Sequence, residues 1–306
     1  MLFQLNDVTK TYGKVRALSN LTVEMPTGAI GLLGPNGAGK TTMIRTLLGL
    51  IGIDRGQGSI LGMDIRNDRL NIRQNVGFVP EDECLFPGMS GIDFVAYAGE
   101  LAGLRPIDAM QRAHEVLDYT GLGEARYRKV DSYSTGMKQR LKLASALSHD
   151  PKLLILDEPT NGMDPKGREE LIEMSRDLTR NKGMSLIFSS HLLPDVEAVC
   201  EFVMVMGGGR LLASGNIEEL KRRDDRQFEV RVKSGVEVFA AALTRRGVKV
   251  VEEEDLLLVD LPEGRESDEI WRAAAESGAQ VRLLRPRKST LEEIFLQALT
   301  AKKEAA

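Results

Sequence analysis

The chain has 306 residues, 42% of them hydrophobic and 28% charged, with 41 Lys and Arg against 45 Asp and Glu for a formal net charge of −4. At roughly 150 residues per domain this length fits two domains, and the composition excludes a disordered, collagen-like or charge-dominated chain. The slight acidity excludes bulk nucleic-acid binding by electrostatics, and no nucleic-acid partner is expected.

The longest apolar runs, such as Leu153–Leu156, fall far short of the ~18 residues that span a bilayer. The opening MLFQLNDVTK lacks a secretory pattern. Cys84 and Cys200 lie 116 positions apart without a CxxC, and read as buried or incidental thiols in a reducing compartment rather than a disulfide framework or metal site.

In chain order, Leu2–Pro26 alternates apolar and polar residues, which predicts half-buried antiparallel strands. Ala29–Leu33 is a short apolar run ending in glycine, and from Lys40 the period turns helical, with Met43, Ile44, Leu47, Leu48 and Ile51 on one stripe. Residues 88–150 are mostly helical in pattern, notably Ile107–Leu117 and Met137–Leu147, with Asp150-Pro151 as the stop. Lys152–Leu156 reads as a buried parallel strand, Arg168–Arg180 as an amphipathic helix and Met184–Phe188 as another strand. Val203–Met206 and Arg210–Ala213 flank three glycines as a hairpin.

The charged run Lys221–Arg226 marks the expected boundary between a first domain, 1–220, and a second, 227–306. Beyond it the pattern gives strand 228–232, helix 236–245, strands 248–251 and 256–261, helix 268–276 and strand 281–284. This is a βαββαβ order, closed by a last helix at Leu291–Leu299. The single Trp271 lies on a helical face and reads as core.

Chemistry concentrates in two places. Gly34-Pro35-Asn36-Gly37-Ala38-Gly39-Lys40-Thr41 matches GxxxxGK[ST] between a strand and a helix. Glycines let successive backbone N–H groups converge on phosphate oxygens, and the helix that follows aims its N-terminus at the same anion. Lys40 supplies a mobile cation for the β- and γ-phosphates, Thr41 a hydroxyl for Mg²⁺, and Thr42 the next position of the cradle. Leu153–Leu156 then leads into Asp157-Glu158. A buried strand delivers Asp157 to the Mg²⁺ shell, and alternation along the strand leaves Glu158 free to polarise the attacking water. Together these say phosphate-loop NTPase, with a nucleoside triphosphate and Mg²⁺ expected.

Tyr133-Ser134-Thr135-Gly136-Met137-Lys138-Gln139-Arg140, ending 17 residues before Asp157, narrows this further. It resembles the LSGGQ signature of ABC-type ATPases. Other marks of that family fall in register: Tyr12 resembles the aromatic that stacks on adenine, Gly77-Phe78-Val79-Pro80-Glu81 the segment bearing the Q-loop glutamine, Asn161-Gly162-Met163-Asp164 the D-loop, and Ser189-Ser190-His191 the switch histidine. Three departures stand out. Tyr133 and Thr135 replace a leucine and a glycine, Met137 a glutamine, and Glu81 stands where glutamine is usual.

The resemblance implies an α/β P-loop NTPase core with an antiparallel β subdomain and a helical subdomain at about 88–150, plus a small ferredoxin-like α+β domain that resembles the accessory domain of an exporter-like branch. It also implies two copies, or a copy and a homologous ATPase subunit, closing head to tail around ATP, with Ser134, Thr135, Gly136 and Met137 facing the nucleotide of the opposite subunit. Glu158 would be the base, His191 the γ-phosphate contact and Glu81 a Mg²⁺ sensor. The partner would be an integral-membrane permease on a separate chain, contacted near Phe86–Gly103 from the inner membrane face.

Two other readings are weighed. A genome-maintenance or ribosomal ATPase would carry a long insertion or two modules, whereas 52 residues separate Glu81 from Ser134 and one module is present. A regulatory nucleotide switch on a membrane partner is favoured only by the degenerate signature.

Overall fold

The structure is a computed structural model that describes residues 1–221, 226–253, 256–262, 264–287 and 290–304. Most of the charged run expected as the boundary lies outside the described residues. Mutual packing divides the chain into residues 1–217 with those from 295 on, and residues 218–294.

The first unit begins with β1 (Phe3–Tyr12), β2 (Val15–Met25), β3 (Ala29–Leu33), α1 (Lys40–Leu47), β4 (Arg55–Ile60), β5 (Met63–Asp64), α2 (Arg69–Asn75) and β6 (Val76–Val79). The strands β2-β1-β4-β5 form an antiparallel sheet. Phe3, Leu5, Leu18 and Leu21 of this sheet are buried and share one apolar core with Met43, Ile44 and Leu47 of α1. Helix α1 is shorter than its apolar stripe, because Ile51 lies beyond its end.

A helical region follows: α3 (Gly91–Leu101), α4 (Pro106–Tyr119) and α5 (Thr135–Leu147). Sequence accounts for their starts. Ser90 caps α3 by accepting from the Asp93 N–H at 3.2 Å, proline opens α4, and Ser134 caps α5. Then come β7 (Leu153–Asp157), α6 (Pro165–Arg180), β8 (Ser185–Ser189), α7 (Leu193–Val199), β9 (Phe202–Gly207) and β10 (Arg210–Asn216), before α8 (Ile217–Lys221), which begins at the division and lies mostly in the second unit.

The second sheet runs β10-β9-β3-β8-β7-β6, parallel from β9 to β6 with β10 antiparallel at one edge. β3, β7 and β8 are buried along their full length, as covered parallel strands require. The C-terminal ends of β3, β6, β7 and β8 carry the phosphate loop, the Glu81 segment, Asp157 with Glu158, and His191. This is the end of an open parallel sheet where ligands bind.

The second unit contains β11 (Gln227–Val232), α9 (Val236–Arg245), β12 (Lys249–Glu253), β13 (Leu256–Asp260), α10 (Asp268–Ser277) and β14 (Val281–Pro286); α11 (Leu291–Glu304) ends the chain and crosses the division between units. Its sheet is antiparallel in the order β12-β13-β11-β14, the ferredoxin-like arrangement. Val230, Leu257 and Val259 pack under Phe239, Leu243, Ile270 and Ala273.

Trp271 is a correction: it is 52% exposed and not part of this core. The inward stripe of α10 is Ile270, Ala273 and Ala274, so the neighbouring position faces outward whatever its hydrophobicity.

Candidate nucleotide-binding site

The phosphate loop links β3 to α1. Gly39 has φ +101° and an ideal Cβ there would lie 2.6 Å from the Ala17 carbonyl oxygen, so both the backbone turn and the close approach demand glycine. Gly34, Ala38 and Lys40 are buried beneath the loop, while Pro35, Asn36 and Gly37 are exposed at its crest. Lys40 Nζ donates to the Gly34 carbonyl at 2.7 Å, which folds the ammonium back over the loop. Thr41 and Thr42 open α1 half-buried.

Thr41 Oγ1 donates to Asp157 Oδ2 at 3.1 Å. Burial pushes the Asp157 carboxyl above the ordinary carboxylate range, with Ser189 and Thr41 partly offsetting it. Two hard oxygens beside a phosphate loop suit Mg²⁺, which takes few protein ligands and completes its shell with water and phosphate.

Glu158 leaves the strand. Its φ of +48° is left-handed, a strained value for a residue with a Cβ. The turn brings its carboxylate between two partners: Oε1 lies 3.7 Å from Lys40 Nζ and Oε2 lies 2.8 Å from His191 Nδ1. The His191 ring is otherwise exposed, while Glu158 is 6% exposed. A carboxylate held off the strand axis, next to the phosphate-loop lysine, can accept a proton from a water beside it. Backbone strain at such a point is characteristic of functional turns.

The structure therefore gathers Lys40, Thr41, Asp157, Glu158 and His191. Among the described residues, no hydrogen bond joins this group to Tyr12, Glu81 or Ser134–Met137. Tyr12 ends β1 half-exposed, with Lys10 Nζ 5.3 Å from its ring centroid. Glu81 is exposed just after β6.

Ser134 and Thr135 are exposed and Gly136 and Met137 half-buried at the start of α5, where the Met137 N–H donates to Ser134 Oγ at 3.3 Å. Tyr133, one of the departures, is buried and its hydroxyl donates to the Ala125 carbonyl at 2.7 Å. That substitution belongs to the interior of the helical region. Asn161 is exposed, and Asp164 caps α6 by accepting from the Gly167 N–H at 3.2 Å.

Sequence reasoning passed over two features. Asp195, 1% exposed, accepts from Thr160 Oγ1 at 2.8 Å and Arg168 Nε at 2.7 Å, and so braces the turn after Glu158. Lys142, 6% exposed on α5, donates to backbone carbonyls of the Glu81 segment. The signal available for Lys142 was a lysine between Leu141 and Leu143 in an otherwise apolar stripe.

Against known proteins, residues 18–161 match the family model "ABC transporter", and residues 215–299 match the C-terminal domain of DrrA1-3-like ATP-binding proteins. The ABC transporter ATP-binding protein YxlF of Bacillus subtilis, an uncharacterized protein by its name, is 32% identical over 98% of this chain and 100% of its own length. The chain belongs to the ABC transporter ATP-binding proteins. As a member it is an ATP-binding ATPase subunit. The linearmycin resistance ATP-binding protein LnrL of Bacillus subtilis is 34% identical, covering 79% of this subunit and 78% of LnrL. A solved ATP-binding subunit of an ABC transporter superposes with TM-score 0.65 at 27% identity, covering 73% of this subunit and 93% of that chain.

Proposed function

We propose that the subunit drives a separate membrane permease by closing head to tail with a second copy, or a homologous ATPase subunit, around two ATP molecules. Each nucleotide lies between the phosphate loop of one copy and Ser134-Thr135-Gly136 of the other. The observation that carries this reading is the contrast within the site. Lys40, Glu158 and His191 are assembled in one chain, while the capped helix start at Ser134, an anion-attracting terminus, faces solvent.

Tyr12 stacks on the base. Residues 34–42 cradle the phosphates, with Lys40 swinging from the Gly34 carbonyl to the β- and γ-oxygens. Thr41 and Asp157 would hold Mg²⁺, with Glu81 as a further oxygen donor; the ion offsets phosphate charge when bound. Glu158 takes the proton of the attacking water, whose oxygen displaces ADP at the γ-phosphorus. His191 orients Glu158 and meets the γ-phosphate. Asn161, Asp164 and Met137 border the seam between copies. After cleavage, like charges on ADP and phosphate push the halves apart, and nucleotide state becomes mechanical state.

Among the described residues no helix is long and apolar enough to cross a membrane, which supports a permease on another chain. Phe86, Tyr97 and Leu101 offer it an exposed apolar face, with Phe86 and Tyr97 rings 6.0 Å apart. Export is the favoured direction, supported by the resistance named for LnrL, and the subunit would then sit on the inner membrane face. Purified subunit should bind ATP and hydrolyse it, faster with the permease. No binding and no turnover in either preparation would refute the reading. A regulatory switch that barely hydrolyses ATP would bind but not turn over even with its partner.

A further inference from the structure

Helix α5 grips the Glu81 segment at two points one helical turn apart. Lys138 pairs with the Glu83 carboxylate. Lys142 Nζ donates to the carbonyls of Pro80 at 2.7 Å, Asp82 at 3.0 Å and Glu81 at 3.4 Å. An ammonium has three donors and no acceptor, so these three carbonyls match its capacity.

The location explains how they come together. β6 is an edge of the parallel sheet, and Pro80 ends it without an N–H to offer. α5 lies against this strand so closely that an ideal Cβ on Gly77 would sit 2.3 Å from the Ala146 carbonyl oxygen. That approach puts Lys142, one turn before Ala146, at the strand's exit.

Burying an ammonium against neutral carbonyls is expensive. Packing alone would be served as well by an apolar side chain at this position. What the lysine adds is a rigid link between two functional elements on one helix: α5 begins at the Ser134 cap, and two turns later it clamps the backbone that carries Glu81.

We propose that Lys142 is a positioning residue for ATP hydrolysis, holding the Pro80–Asp82 backbone to the signature helix so that Glu81 and Ser134 move as one body. This rests on the roles given above to Glu81 and Ser134. Glu81 serves the nucleotide of its own subunit and Ser134 that of the other, so the clamp couples the two sites. It makes ATP hydrolysis cooperative.

The test uses the full chain with its permease and compares Lys142→Met, which keeps length without donors, with Lys142→Gln, which keeps two N–H donors. Hydrogen exchange is read on the peptide covering 80–85, and kcat, KM and the Hill coefficient for ATP are measured alone and in a Glu81→Ala background. Lys142→Met should exchange that peptide about tenfold faster and lower kcat about 10- to 100-fold, the usual cost of losing a partner that orients a ligand. KM should stay within about twofold and the Hill coefficient should fall to near one, with Lys142→Gln intermediate. Added to Glu81→Ala, Lys142→Met should cost less than about twofold more, because both act through one element.

Unchanged exchange and unchanged cooperativity in a folded Lys142→Met would overturn the clamp, as would effects that multiply with Glu81→Ala. If Lys142→Met does not fold, Lys142→Gln decides by the same readings. Glu81→Ala behaving as wild type would overturn the role of Glu81 itself, whereas unaltered exchange removes only that of Lys142.

Discussion

The phosphate-loop region and the signature region are both built around helix N-termini, yet they are finished differently. At the first, every charged group has a partner within the chain: Lys40 with Gly34 and Glu158, Thr41 with Asp157, and Glu158 with His191. At the second, Ser134 satisfies one backbone N–H of α5, Ser134 and Thr135 are exposed, and Gly136 and Met137 are half-buried. One region is a site that lacks a roof, and the other has the chemistry of a roof that lacks a site. The proposed closure with a second copy, or a homologous ATPase subunit, would bring the two together.

The comparison can be broken at either end. Lys40→Ala removes the cation from the finished half and should weaken ATP binding about 10- to 150-fold, the worth of a charged hydrogen bond, with turnover lost; titration calorimetry checks it. Ser134→Asp strikes the other half. Aspartate caps helices as well as serine, so the melting temperature should hold within about 2 °C and the isolated subunit should bind ATP as before. Its charge would face the other copy's phosphates, and kcat should fall about 100-fold. Loss of nucleotide affinity in Ser134→Asp would contradict the division of labour.

Tyr12→Ala should raise KM for ATP about 5- to 150-fold through lost base stacking, worth ~1–3 kcal/mol, with kcat little changed. The smallest effect concerns His149, which lies in neither region and so serves as a control. Burial holds its ring below the ordinary value of 6.5, with the Val76 carbonyl and Asp150 acting the other way. A group lowered on folding stabilises fully above about pH 6.5 and loses that contribution as pH falls below it. His149→Gln should flatten the fall in melting temperature below about pH 6.5, and leave ATPase activity at neutral pH unchanged.

The two regions also differ in how far they can be read without coordinates. The phosphate loop is legible because its requirements are local: glycines for the turn, a lysine, a hydroxyl, a strand before and a helix after. The alternation that gives β11–β14 is local too, and the ferredoxin-like order follows from it. Glu158 was legible as an acid but not as a turn, because LLILDE reads as a strand that continues, whereas its φ is +48° and its carboxylate meets Lys40 and His191. Trp271 was misplaced because hydrophobicity outweighed phase. Ile270 and Ala274 fix the inward face of α10, and one position away a large apolar side chain is left in solvent. Lys142 was missed for the opposite reason: a cation in a helix reads as surface until three carbonyls from a distant strand end are found around it.

The central claim is that nucleotide cradled by Lys40 is sealed by another copy's Ser134 and Gly136. Glu158→Gln keeps the size of the side chain and removes its capacity to take a proton, so ATP should persist and hold the pair closed. Light scattering at saturating ATP should then give twice the 33.7 kDa of one chain, returning to a single chain when Ser134→Asp is added. A Glu158→Gln subunit that binds ATP yet stays at 33.7 kDa would contradict the account.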